Sequence, residues 1–204
     1  MASPSKAAYQ LDSIDRRMIE FMRLEPQISQ SELSRRLGIS QPSVAVRIRR
    51  LRDAGILIFR AGLNLRKLGL LIGSATVSAE DPHRVISRFK GCPNLLCASS
   101  ISGQQNVLLI FVGEDMASLQ GIIDQHVRRE PGVRDVDFRL LGKGLGDYAF
   151  CPSFCFDRRN VSPCGSRCSL CVHYTDGDCV GCPASFDYRG SFWNFTRRRS
   201  RQCS

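Results

Sequence analysis

The stretch LDSIDRRMIEFMRLEPQISQSELSRRLGISQPSVAVRIRRLRDAGIL, residues 11–57, decides the fold of the first part of the chain. Apolar residues recur in it at every third or fourth position, which is the period of a helix that buries one face. The pattern predicts a first helix over 12–24, and Pro26 with its polar neighbours ends it. The segment is therefore helical and amphipathic rather than a strand region.

Two more helices follow, separated by a turn of about three residues. The second begins at Ser29 or Gln30 and stops at Gly38, because glycine adopts a left-handed C-terminal cap at little cost. Ser40 is placed to cap the third helix, and Gly55 ends it. A short helix, a glycine turn and a longer helix make up the helix-turn-helix plan, in which the longer helix enters the major groove of DNA.

The surface of the third helix has the residue types that read DNA. Arginine pairs with guanine edges or phosphates, and glutamine pairs with adenine. Residues 1–60 hold 11 lysines and arginines against 6 acidic residues, which favours a polyanionic partner, namely double-stranded DNA. The candidate DNA-binding residues are Ser40, Gln41, Pro42, Ser43, Val46, Arg47, Arg49 and Arg50.

The same stretch resembles the DNA-binding domain of the Lrp/AsnC family of bacterial and archaeal regulators. The resemblance runs without a gap over 11–57 and implies a sequence-specific transcriptional regulator rather than an enzyme. Serine stands at position 34, where the family usually has alanine. The matching residues are Leu11, Asp12, Asp15, Glu32, Leu33, Leu37, Gly38, Ile39, Ser40, Val44, Arg47, Ile48, Leu51 and Gly55.

Residues 66–141 alternate short apolar runs with helical patterns in the order β-α-β-β-α-β, which is a ferredoxin-like unit. Placed after such a DNA-binding domain, this order resembles the family's effector and oligomerisation domain. The resemblance implies homodimers, formed by sheet-to-sheet packing and often assembled further. It also places an amino-acid effector near Gly103 and Asn106. Position 106 is an amide where the family commonly has a carboxylate, and an amide does not pair with an ammonium group, which argues against amino-acid sensing.

The last part of the chain is rich in cysteine. Two C-x2-C pairs, Cys168–Cys171 and Cys179–Cys182, can each turn both sulfurs toward one ion, as in zinc knuckles and iron–sulfur loops. The spacing leaves a [4Fe–4S] cluster and Zn²⁺ both open, and His173 is an alternative ligand. The candidate metal ligands are Cys151, Cys155, Cys164, Cys168, Cys171, Cys179 and Cys182.

Other cysteines and histidines are expected to be structural. Cys92 and Cys97 lie in the ferredoxin-like segment as core or loop thiols, and His83 and His126 lie on its helices. The aromatic residues near Trp193 are expected to pack the small Cys-rich domain onto a neighbour, because its own core is thin. The glycines of 142–147 predict a hinge before it, and 196–204 a solvated basic tail.

These patterns predict an α+β chain of three domains: helix-turn-helix (1–62), ferredoxin-like βαββαβ (63–144) and a small, metal-stapled Cys-rich domain (145–204). The N-terminus has no signal-peptide core and no run is apolar enough for a membrane span, so a cytoplasmic protein with reduced thiols is expected. The function expected is metal- or redox-sensing transcriptional regulation. Two alternatives stay open: a regulator whose zinc domain is purely structural and serves protein interaction, and a cytosolic protein that handles metal or clusters.

Overall fold

A computed structural model describes residues 9–142, 149–154 and 156–194. The chain divides into two compact units, with the boundary between Arg60 and Ala61. No helix in the described ranges has both the length and the apolar character to cross a bilayer. The predicted basic tail and the candidate ligand Cys155 lie outside these ranges. So does the predicted hinge, except for Gly142.

The first unit is a bundle of three helices: α1 (Ser13–Leu24), α2 (Gln30–Leu37) and α3 (Gln41–Asp53). Each begins at the capping residue that the sequence indicates, because the side chains of Asp12, Ser29 and Ser40 accept a hydrogen bond from a backbone N–H of the first turn. Gly38 ends α2 with φ 69°, the left-handed conformation. The predicted helix-turn-helix is confirmed.

The core of this unit contains one apolar stripe from each helix. Its fully or nearly fully buried members are Met18, Leu33, Leu37, Val44 and Leu51. Burying side chains of this size contributes roughly 1.5–3 kcal/mol each, which is why so short a segment can fold.

The second unit contains a four-stranded antiparallel sheet with strand order β3-β4-β2-β5. This order and the alternation of strands and helices are those of the predicted ferredoxin-like domain. In chain order the elements are β1 (Leu63–Asn64), β2 (Leu71–Ala79), α4 (Pro82–Arg88), β3 (Leu95–Ser100), β4 (Val107–Gly113), α5 (Met116–Ile122), which continues as a π-helical turn (Ile123–Val127), and β5 (Val133–Leu140).

The two faces of the sheet belong to two cores. One face packs on α4 and α5, and Phe111, Leu109 and Val77 are completely buried there. The other face contributes Ile72 and Val112 to a second core. Alternate residues of a strand point to opposite faces, so β2, β3 and β4 each supply both cores.

Residues of the C-terminal segment complete the second core. Trp193, at 1% exposure, and Tyr188 pack with Ile72 and Val112 of the sheet. A two-residue strand, β6 (Ala149–Phe150), pairs with β1, which precedes the sheet in the chain. The Cys-rich segment therefore packs on the ferredoxin-like domain within the second unit, as predicted for its aromatic residues. Its regular structure is a 3₁₀ turn (Cys168–Leu170) and α6 (Val172–Thr175).

Candidate DNA-binding surface and thiol-lined cavity

The amino end of α3 presents small and amide side chains to solvent. Ser40 accepts the capping hydrogen bond from the Ser43 N–H at 3.3 Å, and Gln41 and Pro42 are exposed. Val46 is 63% exposed although it is apolar. An exposed apolar side chain on such a helix is suited to contact a thymine methyl group. These residues lie where the sequence predicts a DNA-reading surface.

Two of the predicted DNA-binding arginines are engaged inside the first unit. Arg47 lies 2.5 Å from the Asp12 carboxylate and 2.8 Å from that of Asp15, and Arg50 lies 2.8 Å from the second oxygen of Asp15. Asp15 is completely buried. Burial of a carboxylate is tolerated when charged partners saturate it, so both arginines fasten α3 to α1. Their contact with DNA stays a prediction.

Arg49 differs from both of these neighbours. It is exposed, lies three residues after Val46 on the same side of α3, and has no ion pair or hydrogen bond with any residue in the described ranges. Its five donors are therefore available to guanine edges or phosphates.

Arg49→Ala is expected to weaken operator binding at least about fivefold, because a base or phosphate contact is lost without loss of packing. Fluorescence anisotropy with a DNA operator, repeated at several salt concentrations, measures the effect. The matched control is Arg23→Ala, which removes an exposed arginine of α1 paired with Glu20. Equal affinity and equal salt dependence for Arg49→Ala and the wild type would contradict the assignment.

Six cysteine side chains line one internal cavity of about 50 Å³ in the second unit. Five come from the C-terminal segment, and the sixth, Cys92, comes from the ferredoxin-like domain. All are free thiols. The six are Cys92, Cys164, Cys168, Cys171, Cys179 and Cys182.

The backbone around the C-terminal thiols turns sharply. The 3₁₀ turn brings Cys168 and Cys171 to the same side, and the N–H of Cys171 donates to the Cys168 carbonyl at 2.9 Å. Backbone N–H groups also point at sulfur: that of Gly181 donates to Cys179 and that of Cys182 to Cys168, each at 3.4 Å. Donors of this kind stabilise a sulfur that carries negative charge.

Burial keeps three of these thiols, Cys92, Cys179 and Cys182, in the protonated form at neutral pH. It raises the pKa of Cys92 to about 12, with the neighbouring Cys164 as the next cause. Burial likewise raises the pKa of Cys179 and of Cys182 above the ordinary value. Thiols that surround one cavity ionise together only when a cation balances their charge, as in a metal site.

His126, predicted to be structural, lies beside this cavity. Its Nδ1 atom is 3.7 Å from Cys164 Sγ and 3.1 Å from Ser166 Oγ. Burial, followed by the charges of Arg88 and Arg129, lowers the pKa of His126 to about 4. The imidazole is therefore neutral at physiological pH, which is the form that binds metals.

The remaining predicted ligands lie elsewhere. Cys151 is exposed and does not line the cavity, and Cys155 lies outside the described residues. Within the described ranges, no three cysteine, histidine or acidic side chains are grouped closely enough to coordinate a single ion. The thiols thus surround a space rather than converge on one point. His173 lies 3.9 Å from Asp124 instead.

At the predicted effector position, the side chain of Asn106 forms hydrogen bonds within the ferredoxin-like domain. The Asn106 side chain accepts from the Ala79 N–H at 2.9 Å and donates to the Ala79 carbonyl at 2.7 Å. Gly103 is an open turn residue with φ 119°. The Asn106 amide is uncharged and bonds in both directions to the Ala79 backbone, and the absence of an amino-acid effector stays a prediction.

Comparisons with known proteins match the helix-turn-helix unit and the ferredoxin-like domain, in that order along the chain. A family profile described as winged helix-turn-helix DNA-binding matches residues 11–58, and one described as the Lrp/AsnC ligand binding domain matches residues 71–141. The HTH-type transcriptional regulator LrpC of Bacillus subtilis is 30% identical over 119 residues, which cover 56% of this chain and 83% of LrpC. The chain belongs to the Lrp/AsnC family. It is a DNA-binding transcriptional regulator and not an enzyme.

The chain is also similar to other Lrp/AsnC proteins in sequence and in structure. The leucine-responsive regulatory protein of Rhizobium meliloti is 29% identical over 145 residues, 68% of this chain and 93% of that protein. The structure of B. subtilis LrpC superimposes with a TM-score of 0.56 at 25% identity, covering 68% of this chain and 99% of LrpC. That of Escherichia coli AsnC gives 0.60 at 15% identity, covering 67% and 95%. Neither family profile extends past residue 141, so the Cys-rich segment lies outside both.

Proposed function

We propose that this Lrp/AsnC-type regulator senses metal or redox state through a thiolate centre in its C-terminal segment. The observation that carries the proposal is the shared cavity: five cysteines of that segment face it, and it lies against the ferredoxin-like domain. Cys164, Cys168, Cys171, Cys179 and Cys182 are the proposed ligands. Sensing by these thiols distinguishes this chain from a regulator that responds to an amino acid.

The donor set fits a thiophilic centre. Soft thiolates select zinc, copper(I) and iron–sulfur clusters over magnesium or calcium. A single zinc ion, with Zn–S bonds of about 2.3 Å, needs sulfurs within about 4 Å of one another. The described thiols surround one cavity but form no group of three that close, and metal and sulfide analysis decides between a [4Fe–4S] cluster and Zn²⁺. When bound, a cluster supplies a charge that changes with oxidation state.

The C-terminal segment has a polar attachment to the family domain next to the cavity. Glu114, directly after β4, accepts hydrogen bonds from the Ser191 N–H at 2.7 Å, the Phe192 N–H at 3.2 Å and the Tyr188 hydroxyl. Glu114, Tyr188 and Trp193 also line the cavity. A change at the thiols therefore alters the packing of this segment on the end of β4.

Regulation of DNA binding then depends on how two or more copies of the chain assemble. Family membership supports a homodimer or higher oligomer, formed through the ferredoxin-like domain, as the active species. In a dimer the separation of the two recognition helices determines how well both half-sites are contacted. When the Cys-rich segment changes its packing on the end of the sheet, the separation of the two recognition helices changes. The operator affinity changes with it.

The test of the centre is anaerobic purification of the full chain followed by iron, zinc and acid-labile sulfide analysis and a visible spectrum. We expect stoichiometric metal in the wild type and its loss in the double variant Cys168→Ser/Cys182→Ser. Cys151→Ser is the matched control, since this exposed thiol does not line the cavity and its loss should leave the metal content unchanged. A folded wild type without bound metal would refute the proposal.

A further inference from the structure

Cys92 belongs to the family's own fold, far from the C-terminal cysteines in sequence. It lies in the turn between α4 and β3, where its N–H donates to the Phe89 carbonyl at 2.9 Å. Two residues later, Asn94 forms two hydrogen bonds with Val112 of β4. Its side-chain N–H₂ donates to the Val112 carbonyl at 2.9 Å, and its backbone carbonyl accepts from the Val112 N–H at 2.8 Å. The turn that presents Cys92 is therefore fixed to the sheet.

This turn meets the C-terminal segment directly. A methyl group added at Gly91 would lie 4.0 Å from the side chain of Pro163, the residue before Cys164. Cys92, Cys164 and Cys182 all line the same cavity. Cys92 thus shares its thiol environment with the C-terminal cysteines, whereas Cys97, in β3, is exposed and lies outside the cavity.

Helix α5 also lines the cavity. A methyl group added at Gly121 would lie 3.7 Å from the Cys179 sulfur, so the helix backbone itself approaches this thiol. Ser118 accepts a hydrogen bond from the Val180 N–H at 3.3 Å, and His126, in the following π-helical turn, lies beside Cys164. The wall that the family domain contributes thus combines the apolar side chains of Phe89 and Ile122 with a small residue, polar side chains and one thiol.

We propose that Cys92 is a ligand of the same centre, so that the centre joins the C-terminal segment covalently, through its bonds to sulfur, to the turn between α4 and β3. This inference rests on the proposed function. Its consequence is a route for regulation: filling the centre fastens the segment containing Cys164 and Cys182 to the family domain, and emptying it releases that link. Coupling then passes through Cys92 and does not require the predicted glycine hinge.

The experiment uses the full chain refolded or exchanged with ¹¹³Cd²⁺, a thiophilic probe that forms stable thiolate bonds. Correlation of ¹¹³Cd with cysteine β-protons in the wild type identifies every ligand, and we expect the Cys92 β-protons among them. Affinity for Cd²⁺ is measured by chelator competition. Cys92→Ser should weaken it at least about tenfold, since loss of a second-shell partner alone costs that much, whereas Cys97→Ser should leave it unchanged.

The outcomes separate the two proposals. Cadmium bound by C-terminal cysteines only, with no correlation to Cys92 and equal affinity for Cys92→Ser and the wild type, would overturn the inference and leave the proposed function intact. A folded wild type that binds no cadmium through sulfur would overturn both. The wild-type correlation decides the matter even where Cys92→Ser does not fold.

Discussion

Replacing Trp193 with alanine is expected to destabilise the second unit by about 3–5 kcal/mol, the range for deleting a buried large aromatic side chain. The indole is 1% exposed and packs edge-to-face against Phe192, with ring centroids 4.7 Å apart. Its Nε1–H donates to the Ser153 carbonyl at 3.2 Å. The substitution therefore removes apolar burial together with one hydrogen bond to the Ser153 backbone. Chemical denaturation followed by circular dichroism measures the change at constant metal content.

Leu170→Ala is the matched control for Trp193→Ala. Leu170 belongs to the same Cys-rich segment but is 78% exposed, so its truncation should change the free energy of unfolding by less than about 0.5 kcal/mol. Equal unfolding midpoints for the two variants would show that the C-terminal segment is not anchored through Trp193.

The second large effect is expected in the DNA-binding unit. Asp15→Ala should lower the free energy of unfolding by about 3 kcal/mol, near the lower end of the range for breaking a buried ion pair. The loss is not larger because Arg47 keeps its ion pair with Asp12 and Arg50 is half exposed to solvent. The substitution also removes half of the capping box at the start of α1, in which Asp15 accepts from the Asp12 N–H. A unit of about sixty residues has little stability to lose, so operator binding should fall with it.

Asp53→Ala is the corresponding control. Asp53 is an exposed carboxylate at the end of α3, and its removal changes the net charge by the same amount. Thermal unfolding and operator affinity are measured for both variants. If Asp15→Ala leaves the unfolding temperature at the wild-type value, the buried network does not hold α3 in place.

The sequence predicts the regular elements of this fold well because their signals are local. Helical periodicity, the caps at Ser29 and Ser40, and the glycine at position 38 each act within one or two turns of chain. The two-residue strands β1 and β6 have no such signal, because their pairing joins residues more than 80 positions apart. The π-helical end of α5 likewise depends on packing rather than on a residue pattern.

The same distinction applies to the functional residues. C-x2-C spacing identifies candidate ligands that are neighbours in the chain, and it accounts for four of the six thiols that line the cavity, to which the C-x3-C spacing of Cys164 adds a fifth. It does not reach Cys92, which only the tertiary fold brings to the cavity. One signal was present: Cys92 precedes Pro93, as Cys151 and Cys182 precede prolines, a pairing noted around iron–sulfur clusters.

The arginines of α3 show the converse case. Helical spacing places Arg49 and Arg50 on the outer faces of α3 and Arg47 at their margin, and it predicts a DNA-binding role for all three. The carboxylates that engage two of them lie 32 to 35 residues earlier, on α1. Only the structure separates Arg49, which is available to DNA, from the two arginines that brace the helix.

The most direct test of the account is the operator affinity of one anaerobic preparation, measured by anisotropy with the centre filled, removed by a chelator, and oxidised. The operator is selected from a pool of random DNA with the metal-filled protein. Sensing predicts that filling and emptying the centre change the dissociation constant about 5–150-fold, the usual range of allosteric coupling. Three superimposable binding curves from folded protein would contradict it and leave the thiolate centre a purely structural role.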